Sequence, residues 1–444
     1  MTLQIEGQTE RMRHERVPIA DATRVLLCDF ATGDLERALH HPDADWGEVF
    51  QGVCRNGLLG LTHRYLKQWE SPAYPPPEFR RRVQQAHHIE AISMAVAYRH
   101  IGQVLARLAA HGLDYMVVKG PAVAHVVYPY PALRPFNDLD LVVRERDWAT
   151  AHRLLVEMGF RPEMDLPEPP PKLVPQAILH ELKYWHEKTG FLVEVHYDDI
   201  LNAGLASRDV EGFWQRAASI EVEGVPVKIL SLEDQLIHLC VHLHYHGYTR
   251  LNCLSDLAFI VRDHATELNW ARLIETVHVE QAQVGVYYSL YYLDRLLGID
   301  VPQDVMAALR PDGFRRWFHE RYLPEEKVMS LQPMWRPDFS FYFTPFLKRL
   351  LPDLLVMGRR PEKLRCLLRL LIPPQDWLAY YYFLDSSTKV WLHYLLHPLK
   401  LVYHVSEELL GALVGTLTRK PQASPCSVPA RQAKVPAEPW LPAT

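Results

Sequence analysis

The chain has 444 residues, of which 48% are hydrophobic and 23% are charged, and its formal net charge is −5 at pH 7. This is the composition of a globular protein with room for about two to three domains. A general basic surface is missing, so nucleic acid is not implied as an obligatory partner. The six cysteines form no C-x-x-C pair, and no uncharged apolar run approaches the roughly 20 residues that span a bilayer. We therefore expect a cytoplasmic protein without a transmembrane segment.

The first half of the chain begins with a helical pattern. Residues 1–20 are polar and are expected to be loose. From residue 21 to about 110 the apolar positions follow helical spacing, with a proline-rich interruption at 71–77. This segment is predicted to be a helical lead-in to the part of the chain that follows.

A short strand followed by a glycine comes next. The stretch Tyr115-Met116-Val117-Val118-Lys119-Gly120 predicts a buried strand, and Pro121 is suited to open the helical pattern behind it. A glycine lets backbone amides approach a ligand, and a helix start offers free N–H groups to an anion. Lys119 adds a point charge suited to phosphate. Together these features predict a phosphate-binding turn.

Two aspartates stand in the next predicted strand, within Asn137-Asp138-Leu139-Asp140-Leu141-Val142-Val143. Because strand side chains alternate, Asp138 and Asp140 are expected on one face, roughly 6.5 Å apart along the chain. Carboxylates in this arrangement commonly hold Mg²⁺ ions against phosphate oxygens. In the alternative interpretation Asn137 and Asp138 belong to a turn and Asp140 is merely solvated.

A third carboxylate follows on another predicted strand. In Phe191-Leu192-Val193-Glu194-Val195-His196 the two valines share one face, and Glu194 shares the other face with His196. His196 either lines a site or packs structurally. Between the two acidic strands, 148–158 is predicted as a helix and 162–175 as a proline-rich loop that borders a site.

Further along, a hairpin is predicted at 220–230, and Ser231 is predicted to cap the next helix. Helical spacing places His238, His242 and His246 on one stripe. These histidines either bind zinc together with Asp256 or pack against the sheet. The chain beyond is predicted to be helical and rich in aromatic residues as far as about 419, and 420–444 is predicted to be disordered.

The order of these motifs resembles an uncharacterised nucleotidyltransferase family found in bacterial gene clusters, a branch of the DNA polymerase beta superfamily. The resemblance covers about residues 22–265. Its motifs are specific as a set, and each motif alone is a weak signal. Its motifs, in chain order, are Lys119-Gly120, Tyr128-Pro129, Arg134, Asp138-x-Asp140, Val193-Glu194-Val195-His196, 232–239 and 255–257.

The resemblance implies an α+β fold, with a small mixed sheet flanked by helices, a helical N-terminal lead-in and a helical C-terminal region. On this basis we divide the chain into a lead-in at 21–110 packed on the core, a nucleotidyltransferase core at 111–230, and a C-terminal region at 231–419.

The resemblance also assigns functions to site residues. Asp138, Asp140 and Glu194 would be catalytic and would bind Mg²⁺ or Mn²⁺. Lys119, Gly120 and Arg134 would contact the nucleotide, although Lys119-Gly120 stands where many relatives carry a Gly-Ser phosphate loop. The expected activity is transfer of a nucleoside monophosphate from an NTP, with ATP expected, to an unidentified acceptor. The alternative is a non-catalytic nucleotide-binding or assembly subunit that retains the fold.

Overall fold

The computed structural model describes residues 21–32, 44–68, 75–163, 182–197, 200–201, 209–248, 250–323, 325–329 and 390–417, with single positions between 331 and 378. Within these ranges the chain forms a seven-stranded mixed sheet with helices on both faces. This confirms the predicted α+β class. The predictions made for 1–20 and 420–444, and most of the loop predicted at 162–175, lie outside the described residues.

Four helices precede the sheet in the described residues, as the apolar spacing predicts. They are α1 (Asp21–Thr32), α2 (Trp46–Arg55), α3 (Leu59–Gln68) and α4 (Pro77–Ala110). The start of α2 is fixed by Asp45, whose carboxylate accepts hydrogen bonds from the backbone N–H groups of Gly47 and Glu48.

The seven strands are β1 (Tyr115–Val118), β2 (Asp138–Val143), β3 (Phe160–Pro162), β4 (Leu182–His186), β5 (Leu192–Tyr197), β6 (Ala218–Val222) and β7 (Val225–Ile229). Their spatial order is β3-β4-β5-β2-β1-β7-β6. The central strand β2 pairs antiparallel with β1 and parallel with β5. Thus β2 and β5, which carry the predicted acidic residues, are direct neighbours in the sheet.

The remaining helices in the described ranges are α5 (Gly120–Val126), α6 (Trp148–Glu157), α7 (Val210–Arg216), α8 (Leu232–Tyr245), α9 (Leu251–Asp263), α10 (Trp270–Glu280), α11 (Gln283–Tyr292), α12 (Gln303–Leu309), α13 (Gly313–Tyr322), α14 (Glu325–Met329) and α15 (Val390–Leu417). Among the helices described, none is both long enough and apolar enough to cross a bilayer.

Each face of the sheet buries its own apolar core. Leu141 of β2 and Val193 and Val195 of β5 join a core with residues of α4 and α6. On the opposite face, Met116 of β1 and Val142 of β2 join a larger core that contains residues of α1 and α8–α11. Since side chains alternate along a strand, the acidic residues of β2 and β5 lie on this second face.

The hairpin and the helix cap that were predicted near the sheet are both confirmed. The hairpin β6–β7 turns through Glu223 and Gly224, whose φ angles are 51° and 75°. Ser231 caps α8, and its hydroxyl accepts a hydrogen bond of 3.2 Å from the backbone N–H of Asp234. Strands β3 and β4, which were not predicted, extend the sheet beyond β5.

Candidate active site

Three polar side chains converge on the second face of the sheet. The parallel register of β2 and β5 places Asp140 opposite Glu194, and His196 follows two residues later on the same face. All three residues are buried, and one candidate ligand atom of each lies within 4.8 Å of the others. Among the residues that the structure describes, this is the group of three acidic, histidine or cysteine side chains with the spacing of a metal site.

Lys119 reaches this group through an unusual backbone conformation. Regular strand alternation would send its side chain to the face opposite Val118. However, Lys119 has a φ angle of 53° at the junction of β1 and α5, a region that non-glycine residues occupy only at an energetic cost. Its Nζ donates to Asp140 Oδ1 at 2.5 Å and lies 3.9 Å from Glu194 Oε2. The strained turn therefore places a cation between two carboxylates.

Asp140 is the most strongly paired of the carboxylates. Burial alone would raise its pKa, but the Lys119 ammonium and the imidazole of His196 outweigh this effect and hold the pKa below its ordinary value. His196 Nε2 lies 3.2 Å from Asp140 Oδ1. Asp140 is therefore ionised at neutral pH, as a metal ligand must be.

Asp138 has a different environment at the start of β2. It is half-buried, and its register partner on β5 is Leu192 rather than an acidic residue. Burial and the charge of Asp140 raise its pKa from 3.8 to about 6, against the opposing effect of Lys119 and two arginines. The two aspartates share a face but have opposite pKa shifts, since Lys119 pairs directly with Asp140.

Lys183 is a site residue that was not predicted, and His196 was predicted either to line a site or to pack structurally. Lys183 lies on β4 opposite Glu194, and its Nζ is 3.6 Å from Glu194 Oε1. Glu194 thus has a lysine near each of its two oxygens. The alternation of Leu182-Lys183-Tyr184, in which both flanking residues are buried, was the available signal for this strand.

Gly120 is required by packing. A Cβ atom at this position would lie 2.9 Å from both Cβ and Cγ of Phe136, which is itself buried. From the sequence, this glycine was predicted to let backbone amides approach a ligand. The structure supplies a steric reason, because Phe136, in the loop before β2, packs against Gly120.

Arg134 belongs to a buried network that spans the core. Its Nη2 and Nε lie 2.8 Å and 3.3 Å from the two carboxylate oxygens of Asp256, and its Nη1 donates to the carbonyl of Pro135 at 3.2 Å. The hydroxyl of Tyr128 donates to the same carboxylate at 2.7 Å. These contacts join α9 to the loop before β2. A nucleotide contact for Arg134 stays a prediction.

The histidines of α8 take positions that favour packing over zinc binding. His238 Nδ1 donates to the carbonyl of Ile200 at 2.7 Å, and burial followed by the charge of Lys119 lowers the pKa of His238 to about 3. Burial likewise lowers the pKa of His242. In the described part of the chain these histidines do not form a group with the spacing of a metal site.

A comparison with protein families shows the class of protein to which the chain belongs. Residues 42–298 match the profile of a family described as an uncharacterised nucleotidyltransferase. The match covers more than half of the chain, so the chain belongs to the uncharacterised nucleotidyltransferase family. Membership of this family indicates nucleotidyl transfer as the type of chemistry.

Other comparisons add little to the family assignment. A solved structure, an antigenic nucleotidyltransferase-like protein from Paracoccidioides brasiliensis, is similar at 15% identity and a TM-score of 0.30. The similarity covers 48% of this chain and 96% of that one. At this TM-score the likeness carries no argument. No curated protein matches the chain significantly.

Proposed function

We propose that this protein transfers a nucleoside monophosphate from an NTP, with ATP as the expected donor, to an acceptor and releases pyrophosphate. The observation that carries the proposal is the register of β2 and β5, which places Asp140 beside Glu194 with Asp138 two residues away on the same face. Burying carboxylates this close together costs free energy unless cations lie near them. Such carboxylates are suited to binding the metal ions that phosphate transfer uses.

The donor set fits a hard divalent metal. Asp138, Asp140 and Glu194 supply carboxylate oxygens, which are the ligands that Mg²⁺ and Mn²⁺ prefer. Asp140 and Glu194 have candidate ligand atoms within 4.8 Å of each other. When bound, the metal would stabilise the negative charge that develops on the phosphate oxygens during transfer.

In the proposed reaction, an oxygen of the acceptor forms a bond to the α-phosphorus of the NTP. The bond between the α-phosphorus and the oxygen that bridges to the β-phosphate breaks, and its electron pair leaves with pyrophosphate. The acceptor proton passes to a carboxylate, for which Glu194 is the proposed base. Lys119, the backbone amide of Gly120 and Arg134 are the proposed nucleotide contacts.

We also propose that the chain belongs to the DNA polymerase beta superfamily, as a branch found in bacterial gene clusters. An Asp-x-Asp pair beside a third carboxylate on a parallel neighbour strand supports this placement. It also disfavours the alternative of a non-catalytic subunit. A protein that only assembles gains nothing from burying Asp140 and Glu194 next to each other.

The product of NTP turnover tests the proposal. Purified protein is incubated with ATP and Mg²⁺ or Mn²⁺ in the presence of candidate hydroxyl acceptors, and pyrophosphate and inorganic phosphate are measured separately. We expect pyrophosphate and AMP products from the wild type, and none from Asp140→Asn. Asp300→Asn, which alters an exposed carboxylate far along the sequence, serves as the matched control. Release of inorganic phosphate and ADP instead, or full activity in Asp140→Asn, would overturn the proposal.

A further inference from the structure

Glu194 is held by lysines on both sides. Lys119 Nζ lies 3.9 Å from Glu194 Oε2, and Lys183 Nζ lies 3.6 Å from Glu194 Oε1. The same Lys119 ammonium donates to Asp140 at 2.5 Å. The gap between the two carboxylates on β2 and β5 therefore already contains a positive charge supplied by the chain.

That gap is where a second metal ion would have to bind. In two-metal sites the ions lie about 3.5–4 Å apart and share carboxylate ligands. An ion bridging Asp140 and Glu194 would contact the Lys119 nitrogen, since Mg²⁺ binds oxygen at roughly 2.1 Å. An ion could bind there only if the lysine moved away, because the Lys119 nitrogen already lies 2.5 Å from Asp140 Oδ1.

The position of the ammonium is built into the fold. The φ angle of 53° at Lys119 reverses the strand alternation that would otherwise carry the side chain to the opposite face. The lysine side chain is almost buried, with 10% exposure. A strained backbone that persists at such a place indicates that surrounding structure determines it.

We propose that the Lys119 ammonium permanently fills one of the two cation positions of this carboxylate site, so that the protein uses a single divalent ion, held by Asp138 and Asp140. The inference rests on the proposed function and specifies how many divalent metal ions the site binds. Glu194 then holds the two lysines rather than the ion, and it remains the proposed base. Lys119 acts as a tethered cation that neutralises charge without requiring a second metal.

Metal stoichiometry tests this inference without any need for turnover. Equilibrium dialysis with Mn²⁺ and an excess of a non-hydrolysable ATP analogue, read by electron paramagnetic resonance, counts the ions bound per protein. We expect one ion for the wild type. Lys119→Met keeps the length of the side chain but removes its charge, and Lys119→Gly also relieves the backbone strain. Both variants should bind a second ion.

Two further variants complete the design. Lys119→Arg keeps the charge and should retain one ion. Lys228→Ala removes a lysine whose Nζ lies 2.6 Å from Asp114, outside the site, and should also retain one. Two ions in the wild type, or one ion in both uncharged Lys119 variants, would overturn the inference and leave the proposed function standing. Absence of any nucleotide-dependent Mn²⁺ binding in the wild type would overturn both.

Discussion

Asp138 should destabilise the metal-free protein at neutral pH. Its pKa is raised from 3.8 to about 6 by burial and by the charge of Asp140. The folded state therefore holds the Asp138 proton more tightly than the unfolded chain does, and stability falls as the pH rises from about 4 through about 6. Asp138→Asn removes this penalty, so the variant should be more stable than the wild type at pH 7 without metal.

The size of the effect follows from the shift. A pKa change from 3.8 to about 6 corresponds to roughly 3 kcal/mol at most. Because Asp138 is only half-buried, solvent screening reduces this value, and we expect a gain of about 1–2 kcal/mol. The gain should vanish below a pH of about 4, where the carboxyl is protonated in both folded and unfolded protein.

Urea denaturation of the wild type and Asp138→Asn at neutral and acidic pH measures this difference directly. Asp300→Asn, at an exposed position, controls for the loss of a negative charge in general. Saturating Mn²⁺ with an ATP analogue should reverse the order, because the wild type then gains binding energy that the variant lacks. A variant that is less stable than the wild type at neutral pH without metal, or a difference that does not change with pH, would refute the reasoning.

Three other outcomes are expected. Gly120→Ala places a Cβ 2.9 Å from Phe136 and should lower the free energy of unfolding by about 1–3 kcal/mol in urea titrations; a neutral result would mean that Phe136 yields easily. Asp256→Asn leaves the buried Arg134 guanidinium without its counter-charge and should cost roughly 3–5 kcal/mol, while the double variant with Arg134→Met should lose less; additive losses in a double-mutant cycle would argue against a direct pair. ATP affinity measured by calorimetry should fall strongly in excess chelator and should not recover with zinc alone; unchanged affinity would exclude carboxylate-bound metal from nucleotide binding.

Period-two patterns made the centre of the sheet predictable. In β2 and β5 apolar residues occupy one face without interruption, which leaves Asp140 and Glu194 together on the other face. The same alternation could not show which strands are neighbours. The family resemblance assigned Asp138, Asp140 and Glu194 to one metal site, and the structure shows β2 and β5 as parallel neighbours.

Local sequence patterns could not predict the side-chain contacts around the carboxylates. The direction of Lys119 depends on a positive φ that nothing in the lysine itself signals. Lys183 meets Glu194 because β4 pairs antiparallel with β5 across a short turn, and no strand was predicted at 182–186. Arg134 and Asp256 are separated by 122 positions in the chain, so their ion pair is a property of tertiary packing. Gly120 was predicted to let a ligand approach, whereas the residue that packs against it, Phe136, lies in another segment.

The fate of the α-phosphate tests the central claim most directly. Protein is incubated with Mn²⁺ and ATP radiolabelled either on the α-phosphate or on the γ-phosphate, together with a desalted cell extract as a source of acceptors, and the label is followed in the protein, RNA and small-molecule fractions. The account predicts that the α-label moves to an acceptor while the γ-label appears in pyrophosphate, and that Asp140→Asn abolishes both. Transfer of the γ-label to an acceptor, or α-label transfer that survives in Asp140→Asn, would contradict it.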